Sequence, residues 1–457
     1  VQFLVSRPGY IANAVNLLLP AQPDTSQPLQ LRITPAATLT GRVYAESGEL
    51  PRPLNVLVER KIIQDGTANW ITNSTAPVSS SGEYRAANLG PGDYKVMVAA
   101  SSAPPRQKDP PDSIPGFRAS YYPNTDTLAS AGILHLGPGD SATADLTLRA
   151  ATFYRVTVPV TSGSEAGSGF QIALDPNQPG LSLGRSGDSL AGYLPSGDYD
   201  LTLVSFAGGG AAQTHSIAST HLHISGRAVH AEALTLHPEV EIPIVVHREL
   251  TNPPPDVDKQ YPFSLWVNFQ PLEAGRAINP LMAPMTPGLD DSALRVQNVM
   301  PGLFRVVVAT RLGYAAAVSS GSTDLLREPL RIIPGDPPRP IEVTLRDDFA
   351  SISGTILPGN AAPPTYAEPV YIAAFPLDRI EAQAGPFGVA QGSQFSLANL
   401  APGRYLLLAS HQPIAQQLEF RNEEVLRDLL SKGTVVTLGS GQKAQVQVPL
   451  LPGEANP

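Results

Sequence analysis

The sequence predicts an all-β protein made of tandem antiparallel β-sandwich modules of about 100 residues each. Three observations carry that prediction. First, one pattern recurs four times: YRAANLGPGDYKVMV from Tyr84, SLAGYLPSGDYDLTLV from Ser189, LRVQNVMPGLFRVVV from Leu294 and FSLANLAPGRYLLL from Phe395. Second, its aromatic landmarks Tyr94, Tyr199, Phe304 and Tyr405 are 105, 105 and 101 residues apart. That period is too long for a solenoid repeat of about 20 to 50 residues and suits a whole small domain. Third, 47 Pro and 39 Gly in 457 residues punctuate short runs of alternating apolar and polar residues, while a hydrophobic content of 42% argues against disorder.

Each copy reads as an alternating run, a Pro-Gly type turn, and an aromatic residue that opens a second alternating run. This is the pattern of a β-hairpin. Pro presets φ near about −65° and Gly supplies a positive φ, so the following Tyr or Phe turns back into the core as an anchor. On this basis residues 36–150, 151–237, 238–346 and 347–457 are expected to form four sandwiches. They open with TLTGRVY (Thr38–Tyr44), FYRVTVPV, VEIPIVVH and SISGTIL, and close with strands that end at Leu148, Leu236, Leu345 and Leu450. Linkers between them are nearly absent, which predicts modules packed end to end as a stiff rod. A Pro-rich loop, Ala103–Phe117, is the most individual part of the first module, and its composition favours an extended conformer.

Residues 1–35 read as an incomplete N-terminal module or a donor-strand segment. VSRPGYIANAV from Val5 lines up with ATRLGYAAAV from Ala309, and LQLRI (Leu29–Ile33) takes the place of a last strand. The chain starts at Val1, without Met, inside strand-like sequence, which fits removal of a signal peptide or a fragment. Val1, Phe3, Val5, Leu29, Leu31 and Ile33 are the strand-donation candidates. They either extend the sheet of the first full module or add to a neighbouring chain by β-augmentation. One helix is expected, RNEEVLRDLLSKG, with Asn422 as N-cap, Glu423 and Glu424 in the first turn and Val425, Leu426, Leu429 and Leu430 on one face. Its expected place is over the open end of the last sandwich.

The fourth module combines ISGTILPG (Ile352–Gly359), FSLANLAPGRYLLLAS (Phe395–Ser410) and VVTLGSGQKAQVQVPL (Val435–Leu450). This combination resembles the carboxypeptidase regulatory-like domain; the first module matches it well, the third moderately, and the second weakly because its turn reads LPSGDY. The resemblance implies a transthyretin-like, Ig-like sandwich of seven to eight strands, often strung in tandem in secreted or surface bacterial proteins. It implies no activity, since the shared motif is a folding signature without a catalytic residue.

The chemistry-bearing patterns point the same way. Net charge is −9, so there is no electrostatic footprint for nucleic acid, and no apolar run approaches the ~18 residues of a membrane span. Cysteine is absent, which excludes disulfides and thiolate metal sites. No nucleophile elbow, phosphate loop, zincin helix or Ca²⁺ loop stands at its required spacing, so neither catalytic nor cofactor-binding residues are assigned. His221 and His223, in HLHI, would share one strand face and are weak metal candidates without a third ligand. In SLWVNFQPL, Trp266 faces away from Leu265, Val267 and Phe269; in PVYIAAFPL, Tyr371 faces away from Val370 and Ile372. These two outward aromatics are candidates for contact with a glycan or a surface protein. No opening strand carries a Lys, so Lys–Asn isopeptide cross-links are not expected, and Asn73-Ser74-Thr75 is the one clear glycosylation sequon.

The reading is a non-enzymatic extracellular or cell-surface structural protein that self-associates through strand edges, with a filament subunit assembling by strand donation as its specific form. The alternatives are a carbohydrate-binding or adhesion module and an accessory region of a larger secreted enzyme or transporter.

Overall fold

The computed structural model describes residues 2–16, 33–46, 48–64, 66–102, 110–161, 169–175, 179–207, 214–251, 265–272, 294–299, 301–310, 313–333, 336, 338–358, 370–379, 387–390, 392–411 and 418–451. They form an all-β chain with one α-helix near the C-terminus, α1 (Glu423–Lys432). An N-terminal ribbon of β1 (Gln2–Val5) and β2 (Asn13–Asn16) precedes the first sandwich. That sandwich contains β3 (Ala37–Ala45), β4 (Asn55–Gln64), β5 (Thr67–Pro77), β6 (Glu83–Leu89) and β7 (Gly92–Val98).

One sheet of the first sandwich joins β6 to β3 and β3 to the closing strands Ser141–Thr143 and Leu146–Leu148; the other joins β5, β4 and β7. Their inner faces enclose a dry core of Leu39, Val43, Val56, Val58, Tyr84, Tyr94, Val96, Leu146 and Leu148. The alternation in TLTGRVY and GDYKVMV produces this core, because every second side chain of a strand points to the same face. Three more clusters of buried side chains repeat the arrangement around Leu201, Phe269 and Leu407.

The recurring motif is not a hairpin. In all four copies its two strands lie in opposite sheets: β6 pairs with β3 whereas β7 pairs with β4, and Gln394–Leu400 pairs with Ala350–Leu357 whereas Gly403–Ser410 pairs with Tyr371–Pro376. The turn is an arch that carries the chain across the sandwich. Its glycine takes φ of 151° at Gly92, 158° at Gly197, 154° at Gly302 and 151° at Gly403, a conformation closed to side chains with a Cβ. The anchor then locks the arch, because the Tyr94, Tyr199 and Tyr405 hydroxyls donate back to the carbonyls of Gly90, Pro195 and Ala401 at 2.6, 3.1 and 2.7 Å. This tyrosine-corner logic is missing at Phe304, which fills the same place without a hydroxyl.

A second shared feature is that each opening strand runs parallel to its own closing strand. Val240–Glu249 pairs with Ile341–Arg346, and Ala350–Leu357 with Lys443–Pro449. Each module's closing strand therefore lies alongside its opening strand and points the same way.

Candidate functional site

The densest unexpected structure lies where the first sandwich meets the second. The C-terminal part of the Pro-rich loop is not an exposed loop; it is β9 (Ser113–Phe117), which pairs with β8 (Ser101–Ser102) on one side and with the second sandwich's opening strand on the other. Ala150–Tyr154 matches Phe117–Ser113 residue for residue, so the second sandwich's sheet continues into a segment supplied by the first module. Pro115 is accommodated opposite Thr152, near the sheet's margin, where a missing donor is tolerated. Around this seam Met97, Ala100, Ile114, Ala119, Tyr121, Phe153 and Tyr193 form one buried cluster shared by both sandwiches. Polar contacts close its rim: the Tyr193 hydroxyl donates to Pro111 O (2.7 Å), Arg118 to Ser196 O (3.0 Å) and Ala100 N–H to Pro179 O (2.8 Å). The two modules are welded through a common sheet.

Beside the weld, Glu59 and Lys95 face each other across β4 and β7, both less than 9% exposed. Lys95 Nζ donates to Leu128 O (2.6 Å) and lies 4.6 Å from the centre of the Trp70 ring. Burial raises the Glu59 carboxyl above the ordinary carboxylate value despite Lys95, and burial lowers the Lys95 ammonium despite Glu59. A pair so desolvated is a stability liability if either member is removed.

His221 and His223 do share one face of the strand Thr214–Ile224, where they meet Asp200 and Asp198 on the neighbouring strand. His221 Nδ1 lies 2.8 Å from Asp200 and its Nε2 3.5 Å from Asp198, while His223 Nδ1 lies 2.6 Å from Asp198. The hydrogen bond with Asp200 holds His221 above its ordinary value, and the one with His223 holds Asp198 below its own. Among the described residues no group of three or more His, Cys, Asp or Glu side chains is placed to hold a metal. The arrangement is an exposed ladder of His–Asp pairs.

Trp266 lies on the outer face opposite Leu265, Val267 and Phe269, and is 38% exposed. Tyr371 holds the equivalent position, five residues before the proline that pairs with the anchor aromatic, and is half-buried. Its surroundings differ, because α1 does not cap the open end of the fourth sandwich. It lies across the outer face of that sheet, where Leu429, Val425 and Leu426 cover Ala373, Phe375, Leu406 and Leu408. Asn422 caps it as the sequence predicts, its side chain accepting from the Glu424 and Val425 N–H groups at 3.0 and 3.3 Å.

The strand-donation candidates divide. Val1, Leu29 and Leu31 lie outside the described residues, Phe3 and Val5 belong to β1, and Ile33 is outside any strand. Among the described residues β1 pairs only with β2, and the loop joining the two strands is tied to the segment that leads into β3, through Ala36 N–H to Gly9 O and Ile11 N–H to Thr34 O, each 2.8 Å. Among the described residues the ribbon does not extend the first module's sheet.

The end-to-end rod is corrected by a contact between the first and last sandwiches. Lys61 on β4 pairs with Glu419, Arg421 N–H donates to Gly66 O (3.1 Å), and the Phe420 ring sits against Gly66. Modules strung in a straight line would keep these residues apart. No helix of the described residues is long and apolar enough to cross a membrane.

The chain matches no family model and no curated protein sequence. Comparison with solved structures gives matches at very low scores. The TIE protein of Bacillus anthracis is 9% identical with a TM-score of 0.15, over 91% of this chain and 75% of that one. RrgB, a pilus protein of Streptococcus pneumoniae, is 9% identical with a TM-score of 0.16, over 92% and 98% of the two chains. BcpA, the major pilin subunit of Bacillus cereus, is 7% identical with a TM-score of 0.15, over 91% and 99%. Scores this low carry no argument about the role of this chain.

Proposed function

We propose that this chain is a non-enzymatic structural protein of the cell surface or extracellular space, built from carboxypeptidase regulatory-like sandwiches and able to self-associate through strand edges. The observation that supports it best is the weld: the molecule itself uses strand addition, through β9 on Ala150–Tyr154, to join one module rigidly to the next. Strand addition between copies would employ the same chemistry, since main-chain hydrogen bonds supply affinity and alternate side chains supply register. The donor in this reading is the β1–β2 ribbon. A two-stranded ribbon is marginal by itself in water, and among the described residues this one joins no larger sheet.

Light scattering and negative-stain electron microscopy of the full chain, compared with one lacking residues 1–16, test the proposal. Concentration-dependent assemblies that vanish with the deletion support strand donation; assemblies of unchanged size overturn it. A second reading, contact with a glycan or surface protein, is favoured by the outward position of Trp266 beside its buried strand neighbours. Glycan-array binding that survives Trp266→Ala and Tyr371→Ala would remove those residues from it.

A further inference from the structure

The hairpin of β4 and β5 is longer than its sandwich needs. Among the described residues β4 pairs with β7 only from Val56 to Arg60; beyond that point Lys61–Gln64 pairs with Thr67–Trp70 alone, as a two-stranded arm. Ile62 and Ile63, on this arm, are not members of the first sandwich's core. Such an arm needs a partner surface to hold its shape. It finds one on the fourth sandwich.

The seat is specific. Gly66, at φ 78°, turns the tip of the arm. A Cβ built there would fall 2.6 Å from Phe420 Cε1, so only glycine lets the ring approach. Phe420 is itself fixed, packed 5.3 Å from the Phe375 ring and buried among the side chains beneath α1. On either side of the ring stand a backbone hydrogen bond, Arg421 N–H to Gly66 O, and the Lys61–Glu419 ion pair, whose two side chains are each less than 30% exposed. The arm and its seat thus belong to opposite ends of the four-sandwich chain and fit each other in shape and charge.

We propose that this contact is an exchangeable clasp: it closes one chain upon itself, and the same arm docks into the fourth sandwich of a second copy when chains are crowded. One ion pair, one hydrogen bond and one aromatic seat are a small contact. Within a chain it is sustained by effective concentration, and it yields to an identical contact between chains once their concentration rises. The contact is heterologous, arm to seat, so exchange between copies gives either closed rings or an open head-to-tail string. The clasp is independent of the N-terminal ribbon, and the tests below are repeated on a chain lacking residues 1–16 to keep the two mechanisms apart.

The experiment uses charge reversal in the full chain, with circular dichroism to verify folding. Lys61→Glu and Glu419→Lys each place like charges at the clasp. Small-angle X-ray scattering is expected to show each variant longer in maximum dimension than wild type by about 30 Å, roughly the length of a ten-residue strand. The double variant restores the compact form. Mixed in equal amounts, the two single variants make both possible junctions complementary, one with reversed and one with native charges. Light scattering coupled to size exclusion is then expected to read twice the monomer mass, although each variant alone stays monomeric. Single variants with the wild-type dimension would overturn the clasp, and a mixture that stays monomeric would overturn its exchange between copies.

Discussion

Leu203→Ala tests whether the weld makes the first two sandwiches one cooperative unit. Leu203 is fully buried in the second sandwich's core. The chain holds two tryptophans, Trp70 on β5 of the first sandwich and Trp266 in the third, so the second contains none. Truncating a buried leucine to alanine removes three carbons and leaves a partly collapsed cavity, at about 3 kcal/mol within a range of about 2–5 kcal/mol. Two sandwiches that unfold together expose enough surface for a urea slope of about 3 kcal/mol/M. The midpoint should then fall by about 1 M, the ratio of the two figures. The assay is equilibrium urea unfolding followed by Trp70 fluorescence in a Trp266→Phe background. Because Ile114, Phe153 and Tyr193 share one buried cluster with Met97 and Tyr121, damage in the second core is expected to move a probe in the first. Val306→Ala, a truncation by two carbons in the third sandwich's core, should leave the Trp70 transition in place. A Trp70 midpoint unmoved by Leu203→Ala, while far-UV circular dichroism shows an earlier loss of strand, would refute the reasoning.

Three further outcomes are expected. Glu59→Leu or Lys95→Met alone should each destabilise the first sandwich by about 3 kcal/mol by stranding the partner's charge, while the double replacement should recover most of that loss; a thermodynamic cycle with additive singles would contradict this. His221 should titrate above 6.5 by NMR, and Asp200→Asn should bring its midpoint down. Since the folded state holds that proton more tightly than the unfolded chain, the stabilisation is fully present below the ordinary imidazole value and is lost as pH rises through the folded one. Tyr405→Phe should cost about 1 kcal/mol through loss of its bond to Ala401 O, read as a lower unfolding midpoint; an unchanged midpoint would remove the hydroxyl from the arch's stability.

The β-sandwich class, the anchor aromatics and the helix with its Asn422 cap were legible in the sequence because each depends on local periodicity. The arch was misread as a hairpin because an alternating run, a Pro-Gly turn and another alternating run look alike in both; the partners that decide between them, β3 and β4 in the first module, lie outside the motif. The weld was concealed for a different reason. SIPGF alternates like a strand, but its proline and its setting in a Pro-rich stretch read as loop, and only the neighbouring module's edge makes that proline acceptable. The arm did leave a signal: Asp65-Gly66 between two β-prone runs is a hairpin turn dipeptide. What no local pattern conveys is that its tip meets Phe420, since that contact depends on how four folded bodies are disposed.

The parallel pairing of opening and closing strands has a mechanical consequence. In the fourth sandwich Ser351–Leu357 runs beside Lys443–Pro449 over seven matched positions, so the chain enters at one end of the pair and leaves at the other. Tension transmitted through the backbone therefore drags the two strands past each other lengthwise and strains all their mutual hydrogen bonds at once. An antiparallel pair, with entry and exit side by side, would peel open bond by bond under the same pull. Each such module is consequently built as a shear joint, and the force needed to rupture it grows with the number of matched positions rather than with the strength of any single one.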